Sequence, residues 1–203
     1  MSKVELVVFD IAGTMIEDNG EVIGAFRASL RANGITVSAE ELKESRGASK
    51  REVIAQFVER QSAADPNNER RIAKVYQDFQ TGLEASYSNG QVKAIAGVAA
   101  TLTWLRERGI ICAATTGFFR SVTDLILRSA GWQGMIGSSI CSDDVNRGRP
   151  APYMIFRAME ATGIDDVRKV LTVGDTPLDI QAGHRAGVLG VIGVLTGTHS
   201  SPW

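Results

Sequence analysis

The chain has 203 residues, 44% of them hydrophobic and 22% charged, with a formal net charge of −1. That is long enough for one domain with a full core, or for a core domain carrying a small second one. No basic excess points to nucleic acid, no polybasic cluster points to an anionic membrane surface, and no apolar run reaches the roughly 18 residues of a membrane span.

The N-terminus, Met1-Ser2-Lys3-Val4-Glu5, lacks the long apolar segment of a secretory signal. Cys112 and Cys141 both fall inside apolar or strand-like stretches. Together these features predict a cytoplasmic protein with two buried thiols.

In chain order, Leu6-Val7-Val8-Phe9 reads as a strand buried on both faces, as in a parallel sheet. It ends at Asp10, which opens the loop Asp10-Ile11-Ala12-Gly13-Thr14. Gly13 permits a sharp turn there whose N–H groups can face an anion. Residues 21–33 place Val22, Ile23, Phe26 and Leu30 at helical spacing before Gly34. Ser38 and Glu41 form a capping box that starts a short helix to about Ser45. After a break at Arg46-Gly47-Ala48, Ser49 and Glu52 form a second capping box, with Lys50 at the first position of the next helix. Asp65 caps a further helix with Pro66 in its first turn, and its stripe of Ile72, Val75, Tyr76, Phe79 and Leu83 ends before Ser88. Residues 17–93 are therefore all helical.

Beyond them the pattern alternates. Helices are expected at 97–108, 121–130, 152–159 and 178–186, and strands at 110–114, 139–141, 170–173 and 191–195. Repeated strand–helix units predict an α/β fold with a doubly wound, parallel, Rossmann-like sheet. The core is then 1–16 plus 94–203, with 17–93 inserted after the first strand as a helical cap over the sheet's carboxyl edge.

Parallel strands end on one edge, so the residues after them converge. These are Asp10, then Thr115-Thr116-Gly117, then Arg147-Gly148-Arg149-Pro150, then Gly174-Asp175-Thr176-Pro177-Leu178-Asp179. Three carboxylates call for a hard divalent cation such as Mg²⁺, and a hydroxyl and a guanidinium suit a phosphoryl group beside it. Taken singly, Asp175 and Asp179 also read as helix caps, Thr116 as a turn residue and Arg149 as a surface charge. Their coincidence on successive strand ends favours a site. His184 and His199 each lack a second His, and Trp104, Trp132 and Trp203 form no stacking pattern.

These stretches resemble the four motifs of the haloacid dehalogenase superfamily, over nearly the whole chain. The resemblance implies that Asp10 is a nucleophile forming an aspartyl-phosphate. Asp10, Asp175, Asp179 and the backbone carbonyl of Ala12 would hold Mg²⁺. Thr116 and Arg149 would bind the phosphoryl oxygens, with Gly13, Thr14, Gly117 and Phe118 around the substrate. One departure sharpens the reading: most phosphatases of that superfamily carry a general-acid Asp where this chain has Ala12. Losing an acid costs typically 10²–10⁴-fold when the leaving group is a poor alkoxide.

Asp-x-Ala-Gly-Thr with Arg at the third motif is similar to the phosphonoacetaldehyde hydrolase family, in which a cap lysine forms a Schiff base with the substrate aldehyde. The matching residue is Lys50, in Arg46-Gly47-Ala48-Ser49-Lys50. By residue type alone Lys50 is equally a solvated lysine, although a helix N-terminus opposes its charge. Where that family has a cap Met and, three residues past its lysine, a His, this chain has Arg46 and Val53; its Tyr after the second motif is Phe118. Arg46 would then serve an added anionic or hydroxyl group on the substrate. The chain also ends at Trp203 soon after its last strand, which leaves the sheet edge either bare or covered by a partner, as in a homodimer.

The expected function is Mg²⁺-dependent cleavage of the C–P bond of a small 2-oxo-alkylphosphonate. An ordinary phosphomonoester phosphatase and a catalytically silent binding protein stand as alternatives.

Overall fold

The computed structural model describes residues 3–45, 48–62, 65–89 and 92–197. Its elements run β1 (Leu6–Asp10), α1 (Glu21–Ala32), α2 (Ala39–Glu44), α3 (Lys50–Gln61), α4 (Asn68–Asn89), α5 (Val98–Glu107), β2 (Ile111–Thr116), α6 (Arg120–Ser129), β3 (Ser138–Cys141), α7 (Tyr153–Thr162), β4 (Val170–Gly174), α8 (Pro177–Ala186) and β5 (Gly190–Gly193). The five strands form one parallel sheet in the order β3-β2-β1-β4-β5.

The central strand explains the layering. Every residue of β1 is buried, and alternate side chains enter different apolar clusters. Leu6 and Val8 pack with Met154 and Ile155 of α7 and Ala182 and Ala186 of α8. Val7 and Phe9 pack with Leu102 and Leu105 of α5 and Val122 and Ile126 of α6. Helices on both faces of a parallel sheet make the doubly wound, Rossmann-like fold, as the unbroken apolar run of β1 requires.

Helices α1–α4 lie in sequence between β1 and α5, and their apolar stripes (Phe26, Leu30, Ile54, Val58, Val75, Phe79, Leu83) close over a shared interior. The chain leaves and re-enters the sheet through a narrow neck. There Glu17 N–H donates to Lys93 O at 2.9 Å and Ile95 N–H to Met15 O at 3.0 Å.

Several local expectations shift. β2 extends through Thr115 and Thr116, placed in a loop by the sequence reading, because these residues pair with Asp10, Ile140 and Cys141. It starts at Ile111 because Ile110 N–H closes the end of α5 on Leu105 O. α4 begins at Asn68, since the Asp65 carboxylate accepts from Asn67 N–H and makes a turn with Pro66 instead of a cap. α4 also runs on past Ser88. The last strand is Gly190–Gly193, shorter than the expected 191–195. The capping box at Ser38 and Glu41 is formed. The one at Ser49 is not reciprocal: Ser49 Oγ accepts from Glu52 N–H, but the Glu52 carboxylate goes elsewhere. Cys112 and Cys141 are free and buried.

Candidate active site

The ends of β1, β2 and β4 and the loop before α7 bring Asp10, Thr116, Arg149, Asp175 and Asp179 together, all of them buried. Arg149 is the hub. Its Nη1 lies 2.7 Å from Asp10 Oδ1 and 2.8 Å from Asp179 Oδ1. Its Nη2 donates to Thr115 O at 2.8 Å and to Thr115 Oγ1 at 2.9 Å. A planar guanidinium can bridge two carboxylates and a carbonyl at once, which an ammonium cannot do with the same geometry.

Asp179 serves two structures with its two oxygens. Oδ1 meets Arg149, while Oδ2 accepts from Thr176 N–H at 3.0 Å and Thr176 Oγ1 at 2.5 Å, completing the capping box of α8. The helix-cap reading of Asp179 is realised, and its other oxygen faces the Arg149–Asp10 pair. Asp175 accepts from Thr14 Oγ1 at 3.3 Å. It is also confined by backbone: a Cβ on Gly13 would stand 2.5 Å from its Oδ2, and Gly13 holds φ +87°, a region glycine reaches without strain.

Burial pushes the Asp10 carboxyl well above the ordinary carboxylate range; Asp179 and Asp175 add to the rise, and Arg149 opposes it. Asp175 is pushed up to about 6, by burial first and then by Asp179. Burial works against the Arg149 charge, but Asp179 and Asp10 outweigh it and hold the guanidinium ionised.

One oxygen from each of Asp10, Asp175 and Asp179 can be chosen so that all lie within 4.8 Å of one another. Three carboxylates against one guanidinium leave two negative charges to compensate. All-oxygen donors with that deficit fit a divalent hard cation such as Mg²⁺.

The cavity above these groups, about 60 Å³, is lined by Asp10, Ala12, Thr116, Gly117, Phe118, Arg149 and Asp175 from the sheet side. Val22, Ile23, Ala48 and Lys50 line it from the helical segment, with Asp18 from the connection between them. Lys50 is 6% exposed. Its Nζ donates to Ser45 O at 2.8 Å and Ala48 O at 3.2 Å and lies 5.7 Å from the centre of the Phe26 ring. A solvated lysine is excluded.

Thr116 Oγ1 accepts from Phe118 N–H at 3.1 Å, and Thr116 lines the cavity. Gly13 and Thr14 differ from expectation. Their N–H groups donate to Ile16 O (2.8 Å) and Ile11 O (3.3 Å), so they close the turn instead of facing an anion. Arg46 lies outside the described residues, as do Gly47, His199 and Trp203. Sequence reasoning placed Thr115 at the strand end without seeing that it would anchor Arg149, and it did not single out Asp18, which lines the cavity. The only signal for Asp18 was its distance along the chain from Asp10, and for Thr115 its place one residue before Thr116.

A buried carboxylate held by an arginine at the carboxyl edge of a parallel sheet, with an aspartate pair at the end of β4, makes a cluster that could hold a divalent cation beside a cavity. The profile of the haloacid dehalogenase-like hydrolase family matches residues 7–194. Phosphonoacetaldehyde hydrolase of Bacillus cereus is 30% identical over 207 residues, covering 97% of this chain and 77% of that enzyme. A phosphonoacetaldehyde hydrolase-like protein from Oleispira antarctica superposes with a TM-score of 0.82 at 27% identity, over 96% of this chain and 74% of that one. CbbY from Rhodobacter sphaeroides, solved with phosphate, gives 0.79 at 20% identity over 98% and 90%, a likeness of fold alone. The chain belongs to the haloacid dehalogenase-like hydrolases, in the branch that contains phosphonoacetaldehyde hydrolase.

Proposed function

We propose that the protein is a Mg²⁺-dependent hydrolase of the C–P bond of a small 2-oxo-alkylphosphonate such as phosphonoacetaldehyde, with residues 17–93 as its cap. The observation that carries this reading is the burial of the Lys50 amine in the wall of the small cavity that also contains Asp10. A lysine confined there without chemistry would be a costly residue to keep.

In this reading the Lys50 amine adds to the substrate carbonyl and expels water, giving an imine. Asp10 attacks phosphorus, and the C–P electron pair moves into the protonated imine to form an enamine. Protonation at carbon and hydrolysis then release the carbonyl compound and free Lys50, and water cleaves the aspartyl-phosphate to phosphate. Thr116 and Arg149 orient the phosphoryl group. Asp10, Asp175, Asp179 and the Ala12 carbonyl would hold Mg²⁺, which supplies charge neutralisation for the phosphoryl oxygens. The phosphomonoesterase alternative is disfavoured by Ala12, which lines the cavity yet can donate no proton.

Borohydride added with phosphonoacetaldehyde should inactivate the enzyme and leave a mass adduct on the Lys50 peptide. Lys50→Arg should form no adduct and release no phosphate from the phosphonate. Full phosphonate turnover by Lys50→Arg would sink the proposal.

A further inference from the structure

The second half of the capping signal at the start of α3 has been diverted. A Glu at this position ordinarily folds back on the amide of its own helix cap. Here Glu52 Oε1 accepts from Gly148 N–H at 3.0 Å, 96 residues away. Gly148 is buried, so its amide needs an acceptor, and Glu52 supplies one from another layer of the molecule. The backbones also meet here. A Cβ on Gly148 would stand 3.0 Å from Ser49 Cβ and 3.6 Å from Ser49 N, so a side chain there would press on the start of α3.

The flanking residues give the joint its meaning. Gly148 precedes Arg149, the partner of Asp10, and Ser49 precedes Lys50. The helical segment is joined covalently to the sheet layer through the neck at 15–17 and 93–95. Elsewhere in the segment, Tyr76 Oη donates to Asp143 at 2.9 Å and Ser121 Oγ to Glu84, which attach α4 to the sheet layer. We propose that Glu52 is a positioning residue: its bond to Gly148 holds the N-terminus of α3 against the catalytic loop and so keeps the Lys50 amine in the cavity above Asp10. The consequence for turnover rests on the reading of Lys50 as the imine-forming amine; the positioning itself does not.

The arrangement is asymmetric. Arg149 is anchored to Asp10, Asp179 and Thr115 whether or not Glu52 is present. Losing Glu52 should therefore loosen Lys50 more than Arg149.

The test is acylation of lysines by acetic anhydride, followed peptide by peptide by mass spectrometry. In Glu52→Ala, local opening should raise the labelling rate of Lys50 about tenfold or more, while exposed Lys74 labels as before. Glu52→Gln keeps an amide oxygen to accept from Gly148 and should label like the wild type. Gly148→Ala leaves Glu52 intact but pushes Ser49 away, so it should label like Glu52→Ala and serves if that variant folds poorly. On phosphonoacetaldehyde, Glu52→Ala should lose up to about 10²-fold in kcat with KM little changed, and Glu52→Gln should restore it. Unchanged Lys50 labelling in both Glu52→Ala and Gly148→Ala would overturn the proposal. Absence of an aldehyde-dependent adduct in the wild type overturns the C–P reading instead, and the labelling pattern still decides the role of Glu52.

Discussion

The cavity is bordered by two buried cations that are held in different ways. Arg149 is clamped by two carboxylates and a threonine at the end of the sheet. Lys50 is held through backbone carbonyls of its own segment, beside the Phe26 ring. A guanidinium never gives up its proton in a protein, so Arg149 can act only as fixed charge and hydrogen-bond donor. A lysine amine can become a nucleophile. The difference between the two is one of chemistry: the guanidinium on the sheet side can serve only as fixed charge beside Asp10, whereas an amine on the helical side could, in the proposed mechanism, react as well.

The largest expected effect separates the two sides by substrate. Asp10→Asn should abolish release of phosphate from both phosphonoacetaldehyde and an aryl phosphate, by on the order of 10⁴-fold. Lys50→Arg should abolish only the first, since an aryl leaving group needs no imine. Steady-state phosphate release on the two substrates measures this directly, and equal losses in Lys50→Arg would mean that it acts as structure.

A second contrast concerns stability. Arg149→Met strands Asp10 and Asp179 together in a buried site and should cost about 3–5 kcal/mol near neutral pH. Lys50→Met removes an ammonium from carbonyl partners and should cost less, about 1–3 kcal/mol. Urea unfolding of the two variants ranks them.

The last effect, smaller than the Arg149→Met cost, is a pH-dependent stabilisation by metal. Asp10 and Asp175 have folded-state pKa values raised above their unfolded ones, mainly by burial. Their contribution to the stability of the metal-free protein is thus greatest below the ordinary carboxylate range. It is lost as pH rises, for Asp175 through about 6. Mg²⁺ competes with those protons, so its stabilisation should be slight at low pH and larger above. At a hundredfold excess over Kd it is worth about 2.7 kcal/mol, or roughly 5–10 °C in Tm for a chain this size. Thermal melts with and without Mg²⁺ on either side of pH 6 give the answer. An equal shift at both would place the metal away from these carboxylates.

The sheet side was the more legible of the two. Asp10, Thr116, Arg149, Asp175 and Asp179 could be picked out because parallel strands force their ends onto one edge, and polar residues there stand out against apolar strands. Thr115 was placed at that edge but given no role, because a threonine there signals nothing until its partner is known. Gly13 and Thr14 were read as anion-facing because sequence shows that a turn is permitted, not where its N–H groups go. On the helical side Lys50 came from the family resemblance, since a lysine opening a helix looks the same whether it meets solvent or a cavity.

By itself the sequence determined the order of the elements, the parallel sheet and the convergence of the carboxylates, because apolar periodicity and connectivity are local properties of the chain. Only the tertiary structure decided that Arg149 would be shared between Asp10 and Asp179, that Lys50 would be buried, and that Glu52 would leave its own helix cap for Gly148. Each of these depends on the distance between segments remote in sequence, and that distance is set by how the layers pack, which no local pattern of residues records.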